Sequence, residues 1–309
     1  MISTNELYIP STNGTNQLHV LMWIPKEAPR VILQLSHGMI EHIRRYEAFG
    51  EYLAGRGILV IGNDHLGHGY STNNEDELGY FNAEDGSKTL VDDLYQITLF
   101  AKKQYPNTPY FLLGHSMGSF LARRYLMTYG NELNGAIIMG TGQFPKAVTC
   151  LGLHILKLLK KVKGAHYRSQ LLSDLGFGSY NKQFAPTKTT HDWLSRDNFS
   201  NEAYLLDPYC TFLFTLNGYE TLLRTFRFIG DESHIKQIPK DLPLFFVAGK
   251  EDPVGVNGKV VQQIYDLYTK LGLHTTELKL YENDRHELLH ELDSTTVFRD
   301  IYNWLDTYI

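Results

Sequence analysis

The chain has 309 residues, 43% hydrophobic and 20% charged, which is ample material for a large core in one α/β domain with an insertion or in two domains. A formal net charge of −5 and a pI near 6.2 give no electrostatic footprint for nucleic acid, so none is expected as a partner. No apolar run approaches the roughly 18 residues of a membrane span, and the first lysine is Lys26, so neither a span nor a signal peptide is expected and the protein is expected to be cytoplasmic.

A hairpin turning at Asn13-Gly14 opens the chain, and Val31-Ile32-Leu33-Gln34-Leu35 then reads as a strand that runs into His37-Gly38-Met39. A helix through Tyr46 to Ala54, a strand Leu59-Val60-Ile61 and a long helix opening near Asp85 follow. Asp64, His65 and His68 sit close enough in sequence to suggest a metal cluster, but the Gly67-His68-Gly69 turn after a strand reads as a chain reversal.

Tyr110-Phe111-Leu112-Leu113, a continuous apolar run, enters Gly114-His115-Ser116-Met117-Gly118. Afterwards Phe120, Leu121, Arg124, Tyr125 and Thr128 fall at helical spacing. A serine between strand and helix, with glycine two residues away on each side, reads as a nucleophile elbow. The glycines omit side chains that would collide where strand and helix cross, and Ser116 projects its hydroxyl into open space.

After a strand at Ala136-Ile137-Ile138-Met139 the alternation of strands and helices stops, and it resumes near Leu242. This predicts an α/β fold with a mostly parallel sheet covered by helices on both faces. The core is assigned to residues 1–142 and 235–309, and a helical cap insertion to 143–234. Within the insertion, Leu151, Ile155, Leu158, Leu159 and Val162 share one helical face, with lysines mostly on the other. Such a basic amphipathic helix suits two roles: a cap packed over the active site with solvated lysines, or a transient contact with an anionic membrane surface. Tyr204 to Phe228, dense in Tyr, Phe and Leu, suits an acyl tunnel or a small cap core equally. Cys150 and Cys210 cannot build a disulfide framework and read as free thiols in or near the cap.

Beyond the insertion, Leu244-Phe245-Phe246-Val247-Ala248-Gly249 is a strand-like run ending in Lys250-Glu251-Asp252-Pro253, and Leu278-Lys279-Leu280-Tyr281 precedes a polar turn with His286. A serine hydroxyl is a poor nucleophile near neutral pH and needs a histidine to take its proton and a carboxylate to orient that histidine. Asp252 is the expected acid, with Glu251 its rival, and His286 the expected base. His286-Glu287-Leu288-Leu289-His290 also fits the His-Glu-x-x-His zinc pattern. The third ligand is missing: Asp293 and Thr296 stand where the extended version wants glycine and histidine, and no glutamate follows Glu291. His290 is therefore expected to be a packing or hydrogen-bonding residue on a helix behind the catalytic loop. Backbone N–H groups of Met117, after the nucleophile, and of Met39, after Gly38, are the expected oxyanion hole.

Ser36-His37-Gly38-Met39-Ile40-Glu41-His42 with Arg45-Tyr46, Asn63-Asp64-His65-Leu66-Gly67-His68-Gly69, the elbow, Gly249 to Val254 and the final histidine together resemble the monoacylglycerol lipase and lysophospholipase branch of the α/β-hydrolases, the serine aminopeptidase S33-like enzymes. The resemblance spans almost the whole chain. It implies the α/β-hydrolase fold, the triad Ser116, Asp252 and His286, the oxyanion hole Met39 and Met117, and no cofactor or metal. Family members commonly continue the elbow with a further glycine, where this chain has Ser119. The expected activity is hydrolysis of a single-chain acyl lipid through an acyl-enzyme. A short-chain carboxylesterase, a peptidase and a non-catalytic ligand-binding scaffold are the alternatives, since the cap decides the leaving group.

Overall fold

Gly14 takes a φ of 77°, which a side chain would disfavour, and the turn it makes lets β1 (Ser3–Pro10) pair antiparallel with β2 (Gln17–Ile24). The computed structural model describes residues 2–81 and 84–309. β3 (Val31–Ser36) is followed by residues 37–46, which include a 3-10 turn at Ile43–Tyr46, and by α1 (Glu47–Ala54); β4 (Ile58–Asn63) precedes α2 (Gly86–Gln104), which is capped by the Asp85 side chain. β5 (Tyr110–His115), α3 (Met117–Tyr129) and β6 (Gly135–Met139) complete the stretch before the insertion.

Five helices follow: α4 (Lys146–Lys163), α5 (Gln170–Phe177), α6 (Asn198–Leu206), α7 (Leu216–Ile229) and α8 (Glu232–Ile235). The sheet then resumes with β7 (Leu244–Gly249), α9 (Lys259–Lys270), β8 (Thr276–Tyr281) and α10 (Ser294–Asp306). The expected end of the insertion at His234 falls inside α8.

The eight strands form one sheet in the order β1-β2-β4-β3-β5-β6-β7-β8, parallel from β4 to β8 and antiparallel at the β1-β2-β4 edge. β3 to β7 are buried along their whole length, as their largely apolar sequences require of a sheet covered on both faces, and the one polar residue inside β3, Gln34, donates to the Leu94 carbonyl and accepts from Thr98 and Tyr110. Successive side chains go to opposite layers. Leu112 joins the layer under α2, α3 and α9, with Leu94, Phe120 and Tyr268, while Phe111 and Leu113 join the layer under α1 and α10, with Phe49 and Trp304. This is the α/β-hydrolase fold.

Helix α4 packs on α7 and lines the space above Ser116 with Val148, Gly152, Ile155 and Leu156, but most of its apolar stripe stays uncovered. Leu158 is 65% and Val162 78% exposed, and Leu151 and Ile155 are exposed too. The buried residues are Thr149 and Leu156, and a side chain on Gly152 would meet Leu223 of α7 at 2.7 Å, so α4 packs through a different, narrower face. Among the described residues no helix is long and apolar enough to cross a membrane.

Candidate active site

β5 ends at His115 and α3 begins at Met117, leaving Ser116 alone in the turn with φ 52° and ψ −119°. A non-glycine residue held there stores about 1–3 kcal/mol of strain, which the crossing strand and helix impose. A Cβ on Gly114 would lie 2.2 Å from the Gly118 carbonyl oxygen, and one on Gly118 1.9 Å from that of Ser36. Both obstacles are backbone, so both positions need glycine. Ser119 fits the crossing and donates its hydroxyl to the Ser116 carbonyl at 2.6 Å.

The loops after β7 and β8 bring two more side chains to the serine. His286 Nε2 lies 2.8 Å from Ser116 Oγ, and His286 Nδ1 lies 3.0 Å from Asp252 Oδ1. With Nδ1–H donating to the carboxylate, Nε2 carries the lone pair that accepts the serine proton. Asp252 is fully buried, and its Oδ1 also accepts from the Val254 N–H at 2.8 Å. Glu251, the rival acid, makes no hydrogen bond to His286 among the described residues; its N–H donates to the Asp284 carbonyl.

The zinc pattern dissolves in three dimensions. Leu288–His290 is a single 3-10 turn, not the helix expected behind the loop, so the two histidines share no helical face, and both nitrogens of His286 are already engaged. The His290 ring is buried, which together with nearby Arg45 pushes its pKa down to about 4. The Asp64 carboxylate is consumed by the turn it anchors, accepting from Ile43 N at 2.7 Å, Tyr70 N at 2.8 Å and the His19 ring at 2.8 Å.

The amides of Met39 and Met117 donate to no protein acceptor among the described residues. Met117 opens α3, where the helix dipole favours negative charge. Next to Met39, Ile40 is held at φ 58°, and its carbonyl accepts from Tyr204 of α6 at 2.9 Å. Above Ser116 opens a cavity of about 850 Å³, lined by Phe144, Leu156, Leu175, Leu222, Leu223 and Phe226 among others. Within the dense aromatic stretch of the insertion, Tyr219 and Phe226 line this cavity, Phe214 joins the main core, and Tyr204 and Cys210 form a small buried cluster with Leu194.

A model of the Hydrolase_4 family, described as serine aminopeptidase S33, matches residues 27–293. The chain belongs to that family. It is 26% identical to human monoglyceride lipase over 92% of this chain and 84% of that one. It is also 26% identical to a monoglyceride lipase homolog of Monkeypox virus over 92% of each chain. Among solved structures it is similar to a thermostable carboxyl esterase from Bacillus coagulans in complex with glycerol, with a TM-score of 0.92 and 28% identity over 100% of this chain and 99% of that one. These whole-length likenesses put it on the monoglyceride lipase branch of the α/β-hydrolases.

This S33-family chain also carries a buried ionic network that the residue patterns gave no role. Glu41 Oε1 accepts from the Gly38 N–H, from the Tyr46 hydroxyl at 3.0 Å and from His115 Nδ1 at 3.2 Å. Its other oxygen accepts from Arg45 at 2.9 Å, and Arg45 forks onto Glu287 at 2.6 and 2.7 Å. Burial opposes charge on both carboxylates, yet His115 and Arg45 hold Glu41 well below the usual carboxylate range, and Arg45 lowers Glu287. The network joins the loop of Gly38 and Met39, the turn at Ser116 and the loop of His286, whose carbonyl lies 3.2 Å from His115 Nε2. The four-residue spacing of Glu41 and Arg45 was the one visible signal; nothing local points from Arg45 to Glu287, 242 residues away.

Proposed function

We propose that the protein is a serine carboxylester hydrolase that cleaves single-chain acyl lipids, with monoacylglycerols preferred. The observation that carries this is a Ser–His–Asp relay at the floor of a large apolar cavity. Ser116 Oγ attacks the ester carbonyl while His286 Nε2 takes its proton. The carbonyl oxygen becomes an oxyanion facing the Met39 and Met117 amides, worth several kcal/mol in such sites. When the tetrahedral intermediate collapses, the ester C–O bond breaks and His286 returns the proton to the leaving alcohol, leaving an acyl-Ser116 ester. Water, deprotonated by His286, then attacks this ester and releases the fatty acid and free Ser116. Asp252 keeps the imidazole in its working tautomer and stabilises the transient imidazolium. No cofactor enters these steps.

The charge of the lining favours a neutral head group. Its acidic side chains are Glu41, Asp174 and Glu287, with no lysine or arginine among the lining residues, so a phosphate-bearing head group would find no lysine or arginine partner there. At about 850 Å³ the space suits a ligand with a long acyl chain. We also assign residues 143–234 as a cap over a core of 1–142 and 235–309. The exposed leucines and valines of α4, with Lys157, Lys161 and Lys163, fit transient contact with an anionic lipid surface, and Val148 and Ile155 carry this patch to the cavity lining, while Lys160 pairs with Glu220 of α7. Two free thiols, Cys150 and Cys210, suit a reducing compartment, and we infer a cytoplasmic enzyme.

The test is fatty-acid release from monooleoylglycerol, oleoyl-lysophosphatidylcholine and a short soluble ester, for the wild-type chain beside Ser116→Ala. Release from the glyceride above that from the lysophospholipid, abolished in the variant, is expected. Cleavage of the short ester alone overturns the lipase reading in favour of a general esterase, and no cleavage at all points to a binding scaffold.

A further inference from the structure

His286 stands in a loop between β8 and α10, and a loop does not hold a side chain within hydrogen-bonding distance of two partners unless something braces it. The brace comes from the insertion. The Leu194 carbonyl accepts from the Glu287 N–H at 2.7 Å, and the Ser195 hydroxyl donates to the His290 carbonyl at 2.8 Å. In return the Arg285 guanidinium donates to the carbonyls of Asp192 at 2.5 Å and Ser195 at 3.1 Å. These bonds flank the catalytic histidine on both sides, and the Trp193 ring lies 5.1 Å from that of His286.

Arg196 ends this segment and gathers three carboxylates. Its Nε donates to Glu291 Oε2 at 2.9 Å, and its terminal nitrogen to Asp284 and Asp293. Asp284 lies two residues before His286, while Glu291 reaches back with its other oxygen to accept the Arg285 N–H at 2.8 Å. Asp284 and Glu291 are buried, with side-chain exposures of 0%, and Arg196 is the cation that tethers both. The acidic trio 284, 291 and 293 is thereby explained as the receptor of one guanidinium.

We propose that Arg196 is a positioning residue for His286, and that residues 191–197 of the insertion hold the catalytic histidine loop in its working place. The insertion then contributes to turnover as well as to substrate choice. Loosening the clasp moves the general base, which is felt by every substrate equally, whereas a wall of the cavity is felt through binding. This rests on the triad reading of the site, and the two are separable because that reading is tested by Ser116→Ala on the wild-type background.

The experiment compares wild type, Arg196→Ala, Arg196→Lys and the exposed-surface control Lys182→Ala on a short soluble ester and on monooleoylglycerol, with the rate of fluorophosphonate labelling as a direct readout of serine activation. Loss of sub-ångström placement costs up to about 10²-fold in rate, so Arg196→Ala is expected to lower kcat by about 10- to 100-fold on both substrates and to slow labelling in step, with KM changed less than about twofold. Arg196→Lys, which keeps the charge but not the fork, recovers part of that loss. Retained kcat with a raised KM overturns the proposal. So does a kcat loss in Arg196→Ala that Arg196→Lys fails to relieve although it restores the melting temperature. If wild type itself neither turns over nor labels, the triad reading is what has failed.

Discussion

Leu112 of β5 and Leu158 of α4 are the same side chain in opposite surroundings, the first fully buried between sheet and helices, the second 65% exposed on the insertion. The core uses every apolar residue of its central strands to exclude water. The insertion leaves Leu151, Leu158, Val162 and Leu171 largely uncovered while other residues, from Leu156 to Phe226, wall the cavity. Natural surfaces carry scattered apolar residues, but a contiguous set beside a cavity mouth marks a place that meets something apolar. The difference teaches that the central strands are packed for fixed geometry, while the outer face of α4 is left open to an apolar partner, which we propose is lipid.

The largest break in that contrast belongs to the core. Ser116→Ala removes the hydroxyl we propose as the nucleophile, and kcat is expected to fall by about 10⁶-fold, ~8 kcal/mol, with little change in melting temperature. His286→Ala should cost about as much, and the double variant no more than either single one, because the residues act as a unit. Additive losses on steady-state ester hydrolysis would contradict the relay. Next comes Arg45→Met, which leaves Glu41 and Glu287 buried without their cation and is expected to destabilise the protein by about 3–5 kcal/mol in chemical denaturation. Adding Glu287→Met should recover part of that loss, since an unpaired buried charge is worse than none.

Protonation gives a smaller effect with two opposing signs. His65, His68 and His290 are buried and held neutral, with burial pushing them from the usual 6.5 down to about 3, 4 and 4. On acidification below about 6.5 the unfolded chain takes up protons that the folded chain refuses, so stability is lost as pH falls through this window. Asp284 works the other way. Burial, with Glu291 and Asp293 beside it, raises it from 3.8 to about 7, so the folded chain binds its proton first and this contribution grows as pH falls from about 7 toward 3.8. Asp284→Asn removes the opposing slope. The melting temperature of the variant should therefore drop more steeply than that of wild type between about pH 6.5 and 5, and parallel curves would count against this assignment.

How far the sequence foretold all this follows from the range of the interactions. Strands β3 to β7 were legible because runs such as Ile58-Leu59-Val60-Ile61 have no polar face to show water. Gly114 and Gly118 were legible because their need is local, a crossing within five residues. Ser116, Asp252 and His286 could be singled out by their order after three strands, and they are the residues that meet. By contrast, the Arg45 fork onto Glu287 and the Arg196 grip on Asp284 span 242 and 88 residues, and no spacing rule links such pairs. Helix α4 stays open to two roles for another reason: periodicity shows that a helix has two faces, but not which neighbour, if any, covers the apolar one.

That helix also supplies the smallest expected effect on the folded protein. Leu158→Ser with Val162→Ser alters two side chains that are 65% and 78% exposed, so stability should stay within about 0.5 kcal/mol of wild type for each change. Hydrolysis of a short soluble ester, which needs only the relay, should be unchanged. Co-sedimentation with vesicles containing anionic lipid should instead weaken by about tenfold, because each apolar side chain that enters the interface contributes a share of the ~1.5–3 kcal/mol of its full burial. A variant that binds vesicles as wild type does would show that α4 is exposed without being a docking face. A variant that melts early would show that these side chains are covered in solution by something the isolated chain does not contain, and the contrast between Leu112 and Leu158 would then be one of partners and not of design.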